Sequence, residues 1–293
     1  MQRNKGEALG LVRSVGGYQK ARYWNPRRPM TAACLCVAFA GILNLIAKGF
    51  SVQRGPEKNP KDLPSNAVIT TVYDGDTFGV RFENGATRKV RLIGVDAPEL
   101  DDTRENVFFM SQMAKRFAFF HLNGKNVGLS YDWPLEDKYG RLLAYVWTDK
   151  GELFNELIIL KGFAAVHRGF AFSTDYRKRL ENAEKGARRN GEGLWRREPL
   201  PVIRASEATA SIGRISSISF TPSRIQKNKS FVALVSTEEN FQAMIPRQLA
   251  GAFGDLNHYL NKETLVTGFI EEYGGITEIL VFQPSRLELF KLQ

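Results

Sequence analysis

The sequence predicts a mainly β protein with helices, α+β in class, built on a five-stranded barrel that is followed by a second, smaller β domain. Two patterns support this. Between residues 67 and 195, β-rich stretches broken by glycine-bearing turns alternate with stretches of helical period, and beyond residue 211 a second set of short alternating stretches appears.

The first strands are expected over 67–73, 77–83 and 87–95. Asp74-Gly75 and Asn84-Gly85 stand at the two joins as hairpin signals. A helix is expected over 106–122, where Val107, Met110, Met113, Ala114 and Phe117 recur at helical spacing and Gly124 follows the end. Strands over 126–131 and 142–148 flank a loop at 137–141, and helices fit 153–161 and 175–190. Five strands closing on themselves with helices packed against them describe an OB-fold barrel.

A polar stretch over 196–209, carrying Pro199 and Pro201, reads as a boundary. Beyond it, strands are expected over 211–220, 231–235, 241–245, 265–271 and 277–282, with a helix over 246–260. That order also fits an OB-like domain over 206–293. Without a catalytic motif of its own, this domain reads either as a substrate-binding or scaffolding unit or as a packing partner for the first.

The first 50 residues of the chain read as an address. Residues 31–47 carry no charge, and the run reaches residue 50 only by accepting Lys48, which is short of the roughly 20 apolar residues a span needs. Arg3, Lys5, Arg13, Lys20, Arg22, Arg27 and Arg28 precede it against the single acid Glu7. Residues 1–30 are therefore expected to stay cytoplasmic and the later domains to be extracytoplasmic, periplasmic or extracellular. The alternatives are a signal peptide cleaved near Ala47-Lys48-Gly49, leaving a secreted protein, with Met30 a possible start, or a buried helix. Residues 51–66, rich in proline and charge, are a linker between the 31–50 segment and the barrel domain at 67–197.

The chain has 293 residues and a formal net charge of +10, which favours a polyanionic partner. Cys34 and Cys36 both lie in the apolar run, so the rest of the chain has neither a disulfide nor a thiolate metal site. His121, His167 and His258 are scattered without ligand spacing, which argues against a zinc hydrolase or a two-histidine ribonuclease. No haem, nucleotide or zinc cofactor is expected, and the chain is expected to act as a monomer.

Three clusters carry the chemistry: Asp74-Gly75-Asp76-Thr77, Arg91 through Asp96-Ala97-Pro98-Glu99, and Asp137-Lys138-Tyr139-Gly140-Arg141. Together they supply the carboxylates and guanidinium groups needed to hold a hard cation beside a phosphodiester. Strict alternation would put Arg91 and Asp96 on opposite faces of one straight strand, so a shared site requires a bend near Gly94. In their order and composition the clusters resemble the staphylococcal nuclease (thermonuclease) family, from about residue 67 to residue 195.

The resemblance implies a Ca²⁺-dependent endonuclease acting on DNA and RNA with little sequence preference and leaving 3′-phosphate ends. It implies Asp76, Asp96 and the carbonyl of Ala97 as metal ligands, with Asp74 behind them. The family commonly has threonine where Ala97 stands, but a carbonyl ligand does not depend on the side chain. By the same resemblance Glu99 orients or deprotonates the attacking water, Arg91 and Arg141 clamp the phosphate, and Lys138, Tyr139, Arg168 and Phe170 touch the nucleotide. Some relatives have lost catalysis, so a nucleic-acid- or protein-binding module tethered to a membrane is the alternative.

Overall fold

The computed structural model describes residues 65–236 and 240–290. The expected amino-terminal arm, the 31–50 segment and nearly all of the linker lie outside the described residues. Among the described residues no helix is long and apolar enough to cross a membrane.

Five strands close the barrel: β1 (Asn66–Val72), β2 (Thr77–Phe82), β3 (Thr87–Leu92), β5 (Asn126–Glu136) and β6 (Leu142–Trp147), in the order β1-β2-β3-β6-β5. Their burial patterns explain the closure, because Ile69, Phe78, Val80, Val90, Leu92, Leu142 and Ala144 all point into one core and leave no edge for solvent. Helix α1 (Glu105–Leu122) lays Phe109, Met113, Ala114, Phe117 and Ala118 against that core. Helices α2 (Phe154–Leu160) and α3 (Thr174–Asn190) complete the layer. Gly191 ends α3 in the left-handed conformation at φ 64°, as an open C-terminus favours.

A two-stranded ribbon, β4 (Val95–Asp96) paired with β7 (Ala165–Val166), stands beside the barrel. It exists because the chain leaves β3 and bends at Gly94, whose φ is 73°. A side chain could not sit there, since an added Cβ would come within 2.6 Å of the Phe172 ring and 2.7 Å of Leu180. The bend that a shared site requires is therefore present, and packing from α3 and its preceding loop fixes it.

The second sheet contains β8 (Val202–Arg204), β9 (Ile215–Phe220), β10 (Pro222–Lys227), β11 (Phe231–Ser236), β12 (Phe241–Pro246), β13 (Thr264–Tyr273), β14 (Ile276–Leu280) and β15 (Leu287–Leu289). Its pairing order is β10-β11-β12-β14-β13-β9-β8. Only Thr221 separates β9 from β10. Taken as one bent strand, the two give the order of the first barrel, including one parallel pair, β12 with β14 as β3 with β6.

Here the structure departs from the sequence reading: β8 and a 3₁₀ helix (Ala205–Ser211) occupy the stretch read as a polar boundary, β15 was not expected, and two further differences have a local cause. The helix expected over 246–260 is two 3₁₀ turns, Arg247–Phe253 and Leu256–Tyr259. Gly254 adopts a left-handed φ of 66° between them, and Asp255 caps the second by accepting the Asn257 N–H at 3.0 Å. Strand β10 had not been expected because Pro222-Ser-Arg-Ile-Gln-Lys is polar and begins with proline, a composition that suits an edge.

The two cores meet. Phe269 of β13 packs with the barrel cluster, edge-on to Phe117 at 6.2 Å and to Phe120 at 5.9 Å between ring centroids. Beside it Arg116 of α1 forms a buried ion pair with Glu271. Arg286 stacks on Phe109 at 4.1 Å and donates to Asn106 Oδ1 at 2.9 Å. Phe269→Ala is accordingly expected to destabilise the protein by about 3 kcal/mol, read from urea unfolding. A loss below about 0.5 kcal/mol would show that the second sheet does not brace the barrel.

Candidate active site

The site is assembled by sheet register. Thr77 opens β2 directly opposite Arg91 of β3, so Asp76 just before it faces the guanidinium. Leu142 opens β6 opposite Val90, which sets Arg141 at the same end of the barrel. Beyond the Gly94 bend, β4 brings Asp96 back over Arg91.

Asp76 is 2% exposed and has three partners. It is ion-paired with Arg91, accepts the Thr77 hydroxyl at 3.1 Å, and through its second oxygen accepts the Ala97 N–H at 2.9 Å. Arg91 reaches onward to Asp96 at 3.7 Å and donates to the Val95 carbonyl at 3.2 Å. One guanidinium therefore joins the two carboxylates implied as ligands. Gly75 makes this closeness possible: a Cβ there would lie 2.8 Å from the Ala97 Cβ and 2.9 Å from that of Ala114.

Asp74 is turned into the same site, where its carboxylate accepts the Asp76 N–H at 2.9 Å. Burial raises its pKa above the ordinary 3.8, against the opposing charges of Arg91 and Arg141 and hydrogen bonds from Thr77. The raised folded-state pKa means that this group favours the fold while it is protonated and loses that contribution as pH rises through the raised value. Asp74→Asn, which can still accept the Asp76 N–H, is therefore expected to raise the thermal midpoint of the ion-free protein at pH 7. The gain should vanish below about pH 4, where the native carboxyl is already neutral; a gain independent of pH would contradict the assignment.

The Asp137–Arg141 turn presents the second guanidinium. Gly140 (φ 73°) returns its N–H to the Asp137 carbonyl at 3.0 Å, and the Asp137 carboxylate holds Arg141 Nε at 2.7 Å and its backbone N–H at 3.0 Å. Burial pushes Asp137 up, but the Arg141 and Tyr139 donors outweigh it and leave its pKa lowered. Arg141 also reaches the Thr77 hydroxyl at 3.4 Å. Burial, followed by the charge of Arg141, lowers the pKa of Arg91, while Asp74, Asp96 and Glu99 raise it. Two mutually repelling guanidinium groups held this close form a site for an anion with several oxygens. Glu99 is exposed and within electrostatic reach of Arg91.

A groove of about 520 Å³ adjoins the cluster, lined by Arg91, Arg141, Lys138, Tyr139 and Phe170 among others. Tyr139 and Phe170 are 71% and 45% exposed. Sequence reasoning missed Trp133, 80% exposed, and His167, stacked on Phe170 at 4.1 Å, which line the same groove. A tryptophan in a polar strand end was the available signal for the first.

Arg168 stands apart from Lys138, Tyr139 and Phe170. It is absent from the groove lining; instead it pairs with Glu184 and donates to the Val166 carbonyl at 3.2 Å. Glu184 also accepts the Val166 N–H at 3.1 Å, so this buried acid ties α3 to β7 and thereby supports the ribbon bearing Asp96. Its place on the buried stripe with Leu180, Ala183 and Ala187 could have been read from the helical period.

A family model described as staphylococcal nuclease homologue matches residues 89–197. The thermonuclease of Staphylococcus hyicus is 34% identical over 164 residues, covering 55% of this chain and 95% of the relative. This chain belongs to the staphylococcal nuclease family. The thermonuclease of Staphylococcus intermedius is 33% identical over 171 residues (58% of this chain, 99% of the relative), and the endonuclease YncB of Bacillus subtilis 32% over 139 residues (47% and 64%). A staphylococcal nuclease barrel is thus joined here to a second β unit, within a family of hydrolytic nucleases.

Proposed function

We propose that the chain is a calcium-dependent endonuclease that hydrolyses phosphodiester bonds of DNA and RNA with low sequence specificity, by direct attack of water on phosphorus. The observation that carries this reading is the meeting of Asp76, Asp96 and Arg141 around the single Arg91 side chain.

The residues fit a hard cation. Among the described residues no cage of three or more His, Cys, Asp or Glu side chains is assembled, and the proposed donors are two carboxylates and one backbone carbonyl, an all-oxygen set of the kind calcium takes. A carboxylate offers about four acceptor positions, of which Asp76 uses three, and Asp96 is open to solvent. Asp76, Asp96 and the Ala97 carbonyl would hold the ion, with Asp74 fixing the backbone behind Asp76. When bound, the ion supplies positive charge against a non-bridging phosphate oxygen.

The chain's own groups supply the rest. Glu99 accepts a proton from the attacking water as its oxygen bonds to phosphorus. Arg91 releases its grip on Asp96 to donate to a non-bridging oxygen, and Arg141, anchored from behind by Asp137, meets the charge on the departing oxygen. Tyr139, Phe170 and Trp133 offer ring faces to the bases, which is tolerant of sequence because every base has a π-face.

The basic residues before the 31–50 segment support a protein anchored with its nuclease barrel outside the cytoplasm, or exported after cleavage, where calcium is plentiful enough for a weak site of about 10⁻⁴ to 10⁻³ M. The test is cleavage of labelled single-stranded DNA and RNA by the full chain in millimolar calcium and in chelator. Cleavage of both that disappears in chelator is expected. Specific retention without cleavage under either condition would favour the binding-module alternative.

A further inference from the structure

A second cleft, lined by none of the catalytic groups, carries its own chemistry. It lies between α1 of the barrel and the second sheet, with a volume of about 670 Å³. Lys115 and Arg116 stand on the helix side, and Lys229 and Arg247 on the sheet side, while no carboxylate lines it. Arg116 is committed to Glu271, and Arg247 donates one N–H to the Asn228 carbonyl at 2.6 Å. Lys115 and Lys229 form no ion pair among the described residues.

The floor is apolar. Phe231 and Phe282 are half-buried against the cluster of Ala233, Val235, Met244 and Leu280, the side chains of the sheet face that the second core does not use. Cationic rims over an aromatic floor match a chain that alternates phosphate with planar base. An acidic peptide would satisfy the rims and leave the floor uncovered. The helix side belongs to the same α1 whose Ala114 packs against Gly75 under the catalytic carboxylates, so a strand held here is held on the body that carries the site.

We propose that this cleft is a second nucleic-acid-binding site, an exosite for a single strand, in which Lys115, Lys229 and Arg247 contact phosphates and Phe231 and Phe282 contact bases. It uses none of the catalytic groups and would stand if hydrolysis did not.

The test is fluorescence anisotropy of a labelled thymidine 20-mer with the full chain in chelator, at several salt concentrations. The triple variant Lys115→Gln, Lys229→Gln, Arg247→Gln is expected to bind at least about tenfold more weakly at low salt. Its plot of log affinity against log salt should flatten by about 2, from three lost contacts at roughly 0.7 each. Phe282→Ala should weaken the 20-mer while leaving inorganic polyphosphate, which lacks bases, unchanged. Unaltered affinity and salt slope in the triple variant would overturn the proposal. So would equal losses of 20-mer and polyphosphate in Phe282→Ala, since the floor would then have no role in recognition. A labelled dinucleotide, too short for both sites, reports on hydrolysis separately: the triple variant should cleave it like the wild type.

Discussion

Arg91→Gln is expected to lose activity and ion-free stability together. Its guanidinium is 11% exposed and neutralises Asp76, at 3%, while steadying Asp96. Removing it strands a buried carboxylate beside Asp74, and breaking a buried pair of this kind costs about 3 kcal/mol. The ion that replaces its charge should return part of that loss, so the stability gap between wild type and variant should narrow when calcium is added. Turnover should fall at least about 10²-fold, the usual effect of removing one preorganised donor from a developing oxyanion. Arg91→Lys should recover stability better than turnover, because an ammonium carries the charge without the fork that spans Asp76 and the Val95 carbonyl. An Arg91→Gln protein as stable as wild type in chelator would contradict the role assigned to the pair.

Glu99→Gln is expected to separate chemistry from everything else. The side chain is exposed and makes no hydrogen bond among the described residues, so the fold does not depend on it. Its substitution should leave the unfolding free energy within about 0.5 kcal/mol of wild type. Proton acceptance from water, however, is lost with the carboxylate, and kcat should drop by about 10² to 10⁴ with KM little changed. Single-turnover cleavage of a short oligonucleotide measures this directly. Turnover within tenfold of wild type would remove Glu99 from the role of general base.

The turns that carry the clusters were legible in the sequence because their signals are local, whereas the roles of Arg91, Glu99 and Arg141 rest on the family resemblance. Asp-Gly before β2, the Gly94 bend and the Asp137–Gly140 turn are local, and local signals survive without knowledge of the fold. The helix over 106–122 was legible for a related reason, since its apolar period is long enough to exclude a strand. What stayed hidden depended on distant partners. Arg168 looked free until Glu184, 16 residues on, claimed it, and Phe269 read as one more strand residue although it completes the barrel's core. Trp133 and His167 join one groove only after β5 and the chain beyond β7 are brought together. The 3₁₀ turns over 247–259 imitate a short helix in composition, and only Gly254 signalled the break.

The claim on which the rest depends is that Asp76 and Asp96 hold one ion between them. Calorimetric titration of calcium into the full chain, into Asp76→Asn, into Asp96→Asn and into the double variant tests it without recourse to activity. One site is expected in the wild type, weakened at least about tenfold by each single substitution, with the double variant losing less than the two losses combined because both act on the same ion. Two losses that simply add, or a single variant that binds calcium as the wild type does, would show that the carboxylates do not share a site.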